Sequence, residues 1–249
     1  MKIISLNTWG GRAGKEKLLS FFECYKNDTD IFCLQEVWRA PYEELLGVDQ
    51  THVMTRGLQE ITAILEDTFE MFFHPHHKED YGLALFVRKD IAVLEVNDIF
   101  VHKYKDFVPT DNAGKHARNI QYVRIGESNN SLTIINFHGL WNGHGKDDSE
   151  DRITQSQNII NFLKKQSGKI ILCGDFNLLP ETKSLTMIED FGFHNLIKEY
   201  GITSTRTSYY TKPEKFADYI FTSSDVDILD FKILPEEVSD HAPLFIECT

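Results

Sequence analysis

Short apolar runs, rich in Ile, Val, Phe and Tyr and bounded by Gly, Asn, Asp or Pro, recur along the whole chain, at residues 3–6, 31–34, 71–73, 83–87, 91–96, 120–125, 132–137, 169–173, 219–221, 226–231 and 244–246. Runs this short, with this chemistry, predict strands. Helical spacing interrupts them at Leu18, Phe21, Phe22 and Tyr25, and again at Leu58, Ile61, Leu65 and Thr68. A third helix is predicted over residues 149–165: Asp148 or Ser149 can cap it, Glu150 and Asp151 sit in its positive first turn, and Gly168 follows its end. Strands interleaved with helices early, and mostly strands late, predict two packed sheets with helices outside.

Of the 249 residues 41% are hydrophobic, with 18 Phe and 9 Tyr, enough to bury a large core. No repeat, low-complexity tract or Pro/Ser-rich linker divides the chain, so residues 1–249 are expected to form one domain. No apolar run approaches the roughly 20 residues of a membrane-spanning helix. The N-terminal Met1-Lys2-Ile3-Ile4-Ser5-Leu6-Asn7 turns polar too early for a secretory signal, so a cytoplasmic protein is expected. With 26 basic and 38 acidic residues the net charge is −12, which argues against a broad nucleic-acid-binding face but allows a local positive cleft. Cys24, Cys33, Cys173 and Cys248 lack paired spacing; three sit in or beside apolar stretches and read as small buried hydrophobes. Without a heptad or exposed apolar stripe, a monomer is the default.

Several predicted strands end in a side chain able to bind metal or phosphate. Residues 3–6 run into Asn7, 31–35 into Glu36, 134–137 into His138 and 170–174 into Asp175-Phe176-Asn177, while Ser239-Asp240-His241 precedes the last apolar run. Singly, each has a plain reading as a turn or cap residue. Convergence would gather hard oxygen ligands for Mg²⁺ or Mn²⁺, with histidines for proton transfer and phosphate contact. The irregular stretches 102–117 and 141–148 are candidate functional loops. The first carries Lys103, Lys105, Lys115 and His116, a basic group able to guide an anionic substrate. His74-Pro75-His76-His77 suggests a metal cluster, but neighbouring strand residues face opposite ways and Pro interrupts the geometry, so it reads as a polar strand end.

Taken in order, Ser5-Leu6-Asn7-Thr8-Trp9, Leu34-Gln35-Glu36-Val37, Gly174-Asp175-Phe176-Asn177, Ala217-Asp218-Tyr219-Ile220-Phe221 and Ser239-Asp240-His241 resemble the motifs of the endonuclease/exonuclease/phosphatase superfamily, from residue 5 to residue 241. The resemblance implies a four-layer α/β sandwich, two central and mostly antiparallel β-sheets flanked by helices, with the site at one edge of the sheets. It implies hydrolysis of a phosphate ester with Mg²⁺ or Mn²⁺. Glu36 is then the principal carboxylate ligand, with Asn7 and Asp240 as direct or water-mediated ligands, and the cation neutralises phosphate and leaving-group oxygens. Asp175 orients or deprotonates the attacking water, and Asn177 holds that water or a phosphate oxygen. His241 contacts the phosphate, with Asp218 behind it to fix its tautomer and favour its charged form. His138 is a second imidazole donor, with Glu79 or Asp80 as candidate partner, and Arg118 offers its planar fork to the phosphate.

Trp9 stands where the apurinic-endonuclease branch usually has an acidic residue, and His138 where that branch uses an Asn-containing loop. The chain is more similar to the deoxyribonuclease I, neutral sphingomyelinase, inositol-phosphate phosphatase and tyrosyl-DNA phosphodiesterase branches, without a long hydrophobic loop for membrane docking. The expected substrate is a phosphodiester in nucleic acid or a nucleotide. The alternatives are a soluble phosphorylated metabolite, an inositol phosphate or a lipid headgroup and, in another class, a non-catalytic phosphate-binding protein. No protein partner is expected.

Overall fold

A computed structural model describes residues 1–41, 51–107, 116–127 and 130–249, the Asn130 side chain apart. In chain order the elements are β1 (Lys2–Asn7), α1 (Lys15–Tyr25), β2 (Ile31–Trp38), α2 (Gly57–Leu65), β3 (Phe69–His77), β4 (Tyr81–Arg88), β5 (Val93–His102), β6 (Arg118–Glu127), β7 (Asn130–His138), α3 (Glu150–Leu163), β8 (Lys169–Asp175), α4 (Lys183–Asp190), β9 (His194–Asn195), α5 (Leu196–Glu199), β10 (Asp218–Thr222), β11 (Ile228–Ile233) and β12 (Leu244–Cys248).

They form two six-stranded sheets, ordered β11-β12-β1-β2-β4-β3 and β5-β6-β7-β8-β10-β9. Each sheet has one parallel pair, β1 with β2 and β7 with β8, and antiparallel neighbours elsewhere. A parallel pair needs a crossover, and α1 and α3 supply the two. The crossovers bring the carboxyl ends of paired strands level, Asn7 opposite Gln35 and His138 opposite Asp175. Gly174 makes the second pairing possible. Its φ is +140°, and a Cβ there would lie 1.9 Å from the Phe137 carbonyl oxygen.

Strand periodicity divides the core. Ile31 and Cys33 of β2, with Leu85 and Val87 of β4, join the cluster that holds Ile120, Ile134 and Leu172 of the second sheet. The alternate residues Phe32, Leu34, Ala84 and Phe86 pack with Phe21 and Phe22 of α1 and Leu58 and Ile61 of α2. On the second sheet Phe162 of α3 meets Tyr122 of β6, with ring centroids 5.0 Å apart. The architecture is thus the expected α/β sandwich, two mixed and mostly antiparallel sheets with helices around them.

Some boundaries differ from expectation. The second helix stops at Leu65, leaving Thr68 outside it, and α4 and α5 occupy the stretch read as mostly strands. The N-terminus of α4 carries no local side-chain cap, which is why its start is hard to read. Asp148 caps it from a distant loop, accepting the Lys183 and Ser184 amides at 2.6 and 3.0 Å. Ser149 caps α3, accepting from the Arg152 amide at 3.3 Å. Cys33, Cys173 and Cys248 are buried and Cys24 is exposed. Among the described residues no helix is long and apolar enough to cross a membrane.

Candidate active site

Asp175 is where the strand ends meet. Its Oδ2 accepts from Asn7 Nδ2 at 2.9 Å and lies 3.7 Å from His138 Nε2 and 3.6 Å from His241 Nε2. Its Oδ1 accepts the Asn177 amide at 2.8 Å. Glu36 Oε1 accepts from the same Asn7 amide group at 3.2 Å and stands 3.8 Å from His138 Nε2. On the far side of His241, Nδ1 lies 2.8 Å from Asp218 Oδ1, while Nε2 lies 3.6 Å from Asp240 Oδ1. Asn7, Glu36, His138, Asp175, Asn177, Asp218, Asp240 and His241 are therefore one constellation. Its members are buried except Glu36, whose side chain is 20% exposed and marks the mouth.

Backbone departures aim these groups. Glu36 sits at φ +55°, where β2 breaks register with β4 between Leu34 and Val37. A bulge next to a site re-aims a side chain, and a left-handed Glu is a strained conformation that surrounding contacts must hold. Thr8 supplies one, its hydroxyl donating to the Glu36 carbonyl at 3.0 Å. Asn177 also lies at φ +55°, which Asn tolerates better. Beneath the cleft, buried amides tie the sheets together: Gln35 Nε2 donates to Asn136 Oδ1 at 2.7 Å, and Asn136 Nδ2 to the Leu34 carbonyl at 3.0 Å.

The charge balance favours a cation. Burial pushes the Glu36 carboxyl up, opposed by the Asn7 hydrogen bond and Arg12 and reinforced by the charge of Asp175. Burial also raises Asp240, with Glu36 and Asp218 adding to it. One ligand atom from each of Glu36, His138 and Asp175 lies within 4.8 Å of the others. Buried Asp240 Oδ1 has no hydrogen-bond partner among the described residues. Oxygen donors crowded in this way fit a hard divalent cation. Asn7 stands differently from a simple ligand: its amide nitrogen faces the carboxylates while Oδ1 accepts the Trp9 amide at 2.9 Å.

The histidines are held neutral. Burial, then Arg118, pulls His138 well down. Burial and Arg206 pull His241 down to about 4, against Asp240 and Asp175, so the environment opposes the charged imidazole expected there. Burial pushes Asp218 up to about 7.

His102, away from this cluster, gives a cleaner handle on pH. Burial pulls it from 6.5 to about 4. The unfolded chain therefore binds the extra proton first, and the stability tied to neutral His102 is complete above pH 6.5 and lost as pH falls through about 4. Against His102→Gln, the wild type is expected to lose on the order of 2 kcal/mol between pH 7 and 4. Urea unfolding of both proteins checks this; a pH-independent difference refutes it.

Other expectations change. Arg118 is buried, its Nε donating to the Gly139 carbonyl at 2.9 Å and its Nη1 lying 3.1 Å from His76 Nε2, so it backs His138 from inside. Glu79 does not partner His138: it is exposed and pairs with Lys105 at 2.8 Å and Arg39 at 3.4 Å. No contact joins Asp80 to His138 among the described residues. Lys115 lies outside the described residues. The His74–His77 stretch ends β3 as expected, and no three-ligand metal group forms from it among the described residues.

Two basic residues escaped the sequence reading. Arg206 donates to Asp240 Oδ2 at 3.1 Å and stacks 4.1 Å from the Tyr210 ring centroid. Lys146 is buried, donates to the Phe216 carbonyl at 2.8 Å and lies 5.0 Å from the same ring centroid. Burial and Arg206 pull Lys146 down to about 8. Neither lies in a motif; Lys146 lay within the loop already singled out.

The model of the Endonuclease/Exonuclease/phosphatase family matches residues 4–241. No curated protein matches the sequence. Solved structures are similar over the full chain. An endonuclease/exonuclease/phosphatase from Bacteroides vulgatus is 18% identical at a TM-score of 0.71, covering 100% of this chain and 98% of the other. A mannosyl-6-phosphatase of Bacteroides thetaiotaomicron is 16% identical at 0.70, covering 100% and 99%. D. rerio TDP2, complexed with a single strand DNA product, is 19% identical at 0.70, covering 100% and 98%.

Proposed function

As the chain belongs to the Endonuclease/Exonuclease/phosphatase family, we propose that it hydrolyses a phosphate ester with the aid of Mg²⁺ or Mn²⁺, its first substrate class being a phosphodiester in nucleic acid or a nucleotide. The observation that carries this reading is the meeting of Asn7, His138, Asn177 and His241 on the two oxygens of Asp175.

Asp175 acts as the base. Asn7 and the Asn177 amide hold its carboxylate, one oxygen each, so that it can orient a water and accept its proton as the water oxygen bonds to phosphorus. The bond from phosphorus to the leaving oxygen breaks, that oxygen takes up a proton from solvent, and Asp175 returns to solvent the one it accepted. His241 presents Nε2 to the site because Nδ1 is engaged by Asp218 at 2.8 Å. His138 presents Nε2 between Glu36 and Asp175. These two nitrogens bracket the phosphate as donors, neutral His241 keeping its proton on Nε2 because Asp218, pushed up to about 7, holds the proton of the Nδ1 contact, with Asn177 holding water or a phosphate oxygen and Arg118 contributing fixed positive charge. Glu36 and Asp240, with Asn7 beside them, would hold the divalent ion, which supplies charge neutralisation at the phosphate and leaving oxygens.

A second substrate reading, a small phosphorylated metabolite, is favoured by the pairing of Lys105 with Glu79 at 2.8 Å, which neutralises part of the basic loop, and by the net charge of −12. It is also in keeping with the similarity to a mannosyl-6-phosphatase.

The test compares bis-p-nitrophenyl phosphate, single-stranded and duplex DNA, RNA, inositol phosphates and sugar phosphates at matched metal and salt. The expected result is metal-dependent diester hydrolysis with nucleic-acid affinity falling steeply with salt. Turnover confined to small monoesters moves the assignment to the second reading, and no turnover with any phosphate ester refutes both.

A further inference from the structure

The His74–His77 segment is left unused by the chemistry above, yet its third residue reaches the back of the site. We propose that His76 is a positioning residue that fixes the Arg118 guanidinium at the phosphate end of the site by accepting a hydrogen bond from it. The inference rests on the reading of Arg118 as the fixed positive charge of the phosphate site.

The local backbone turns His76 inward. In the pairing of β3 with β4, Pro75 lies opposite Gly82 and His77 opposite Tyr81, so His76 is the extra residue of a bulge. β3 is an edge strand, which tolerates both the bulge and Pro75. Gly82 permits the close approach, since a Cβ there would lie 2.4 Å from Pro75 Cα. The His76 ring then packs edge-on against Tyr81, centroids 4.8 Å apart at 82°, and 6.5 Å from the His138 ring at 74°.

The hydrogen bond has only one possible direction. Arg118 Nη1 and His76 Nε2 are 3.1 Å apart, and both residues are buried. A guanidinium keeps its charge and cannot accept, so Nε2 must be the acceptor and the ring must be neutral with its proton on Nδ1. Burial, together with Arg118, His116 and His77, holds the imidazole in that neutral state. Nδ1 has no hydrogen-bond partner among the described residues. Among the described residues a buried donor is thus left unsatisfied while the acceptor faces Arg118, and such an exception calls for an explanation. Nε also donates to the Gly139 carbonyl at 2.9 Å, on the residue that follows His138, and Nη1 reaches the Ala117 carbonyl at 3.5 Å, so the His76 contact is the shorter of these two made by Nη1.

Two measurements test this. In wild-type protein labelled with ¹⁵N-histidine, long-range ¹H–¹⁵N correlations should show His76 as the Nδ1–H tautomer; a proton on Nε2 overturns the proposal. The second is inhibition by inorganic phosphate in His76→Phe, His76→Gln, Arg118→Met and the double variant His76→Phe/Arg118→Met, with folding checked by circular dichroism. Arg118→Met and His76→Phe should each raise the phosphate Ki about tenfold, and the double variant should add little to either. His76→Gln, whose Oε1 can accept where Nε2 does, should stay within about twofold of wild type. An effect of Arg118→Met without one of His76→Phe overturns the role of His76 and leaves that of Arg118 standing. No effect of Arg118→Met overturns both.

Discussion

Replacing Asp175 with Asn lowers kcat by about 10²–10⁴-fold in a protein that remains folded. Both oxygens of Asp175 are committed, Oδ2 to Asn7 at 2.9 Å and Oδ1 to the Asn177 amide at 2.8 Å. An amide side chain can accept from only one of them and turns a donor toward the other, at a cost of about 1–3 kcal/mol. The fold absorbs that loss because the apolar clusters on both sheets do not depend on the site. What is lost outright is the base. An amide takes no proton from water, and neither His138 nor His241, at 3.7 and 3.6 Å from the missing charge, stands in its place. Steady-state kinetics with thermal unfolding on the same samples decides the matter. A folded Asp175→Asn variant within tenfold of wild-type kcat would falsify the assignment.

The second large effect is on metal linkage. Saturating Mg²⁺ or Mn²⁺ is expected to stabilise the wild type by about 2.7 kcal/mol at a hundredfold excess over Kd, a rise of about 5–10 °C in Tm for a chain of this size. In Glu36→Gln that rise disappears and turnover falls with it, as it does in wild type under chelation. The metal-free variant should melt no lower than metal-free wild type, because burial and the charge of Asp175 already disfavour the Glu36 carboxylate. A general loss of stability would instead lower both melts. An equal metal-dependent rise in Glu36→Gln and wild type excludes Glu36 as a ligand.

Much of the site was legible because Asn7, His138 and Asp175 end strands and Glu36 follows the apolar run of another. Ile3 to Leu6 and Ile31 to Leu34 announce buried strands, and the polar residue after each has to be satisfied at an edge. The helix capped by Ser149 was legible for the same local reason. The start of α4 was not, because its cap arrives from Asp148 on another loop. Glu79 looked like a partner for His138 from its place before β4, but exposure lets it pair with Lys105 and Arg39 instead. Lys146 and Arg206 sit in no motif and come to the site only through the packing of loops against Tyr210.

Local sequence alone determined the strands, the crossover helices and the residue types offered at the strand ends, since periodicity, capping and apolar content act over a few residues. Only the tertiary structure decided which of those ends share a pocket. That depends on two bulges, on Gly174 lying against the Phe137 carbonyl, and on amides crossing between the sheets. The charge states were settled there too. Burial and neighbouring charge set whether an imidazole or carboxylate holds its proton, and neither exists until the chain has folded.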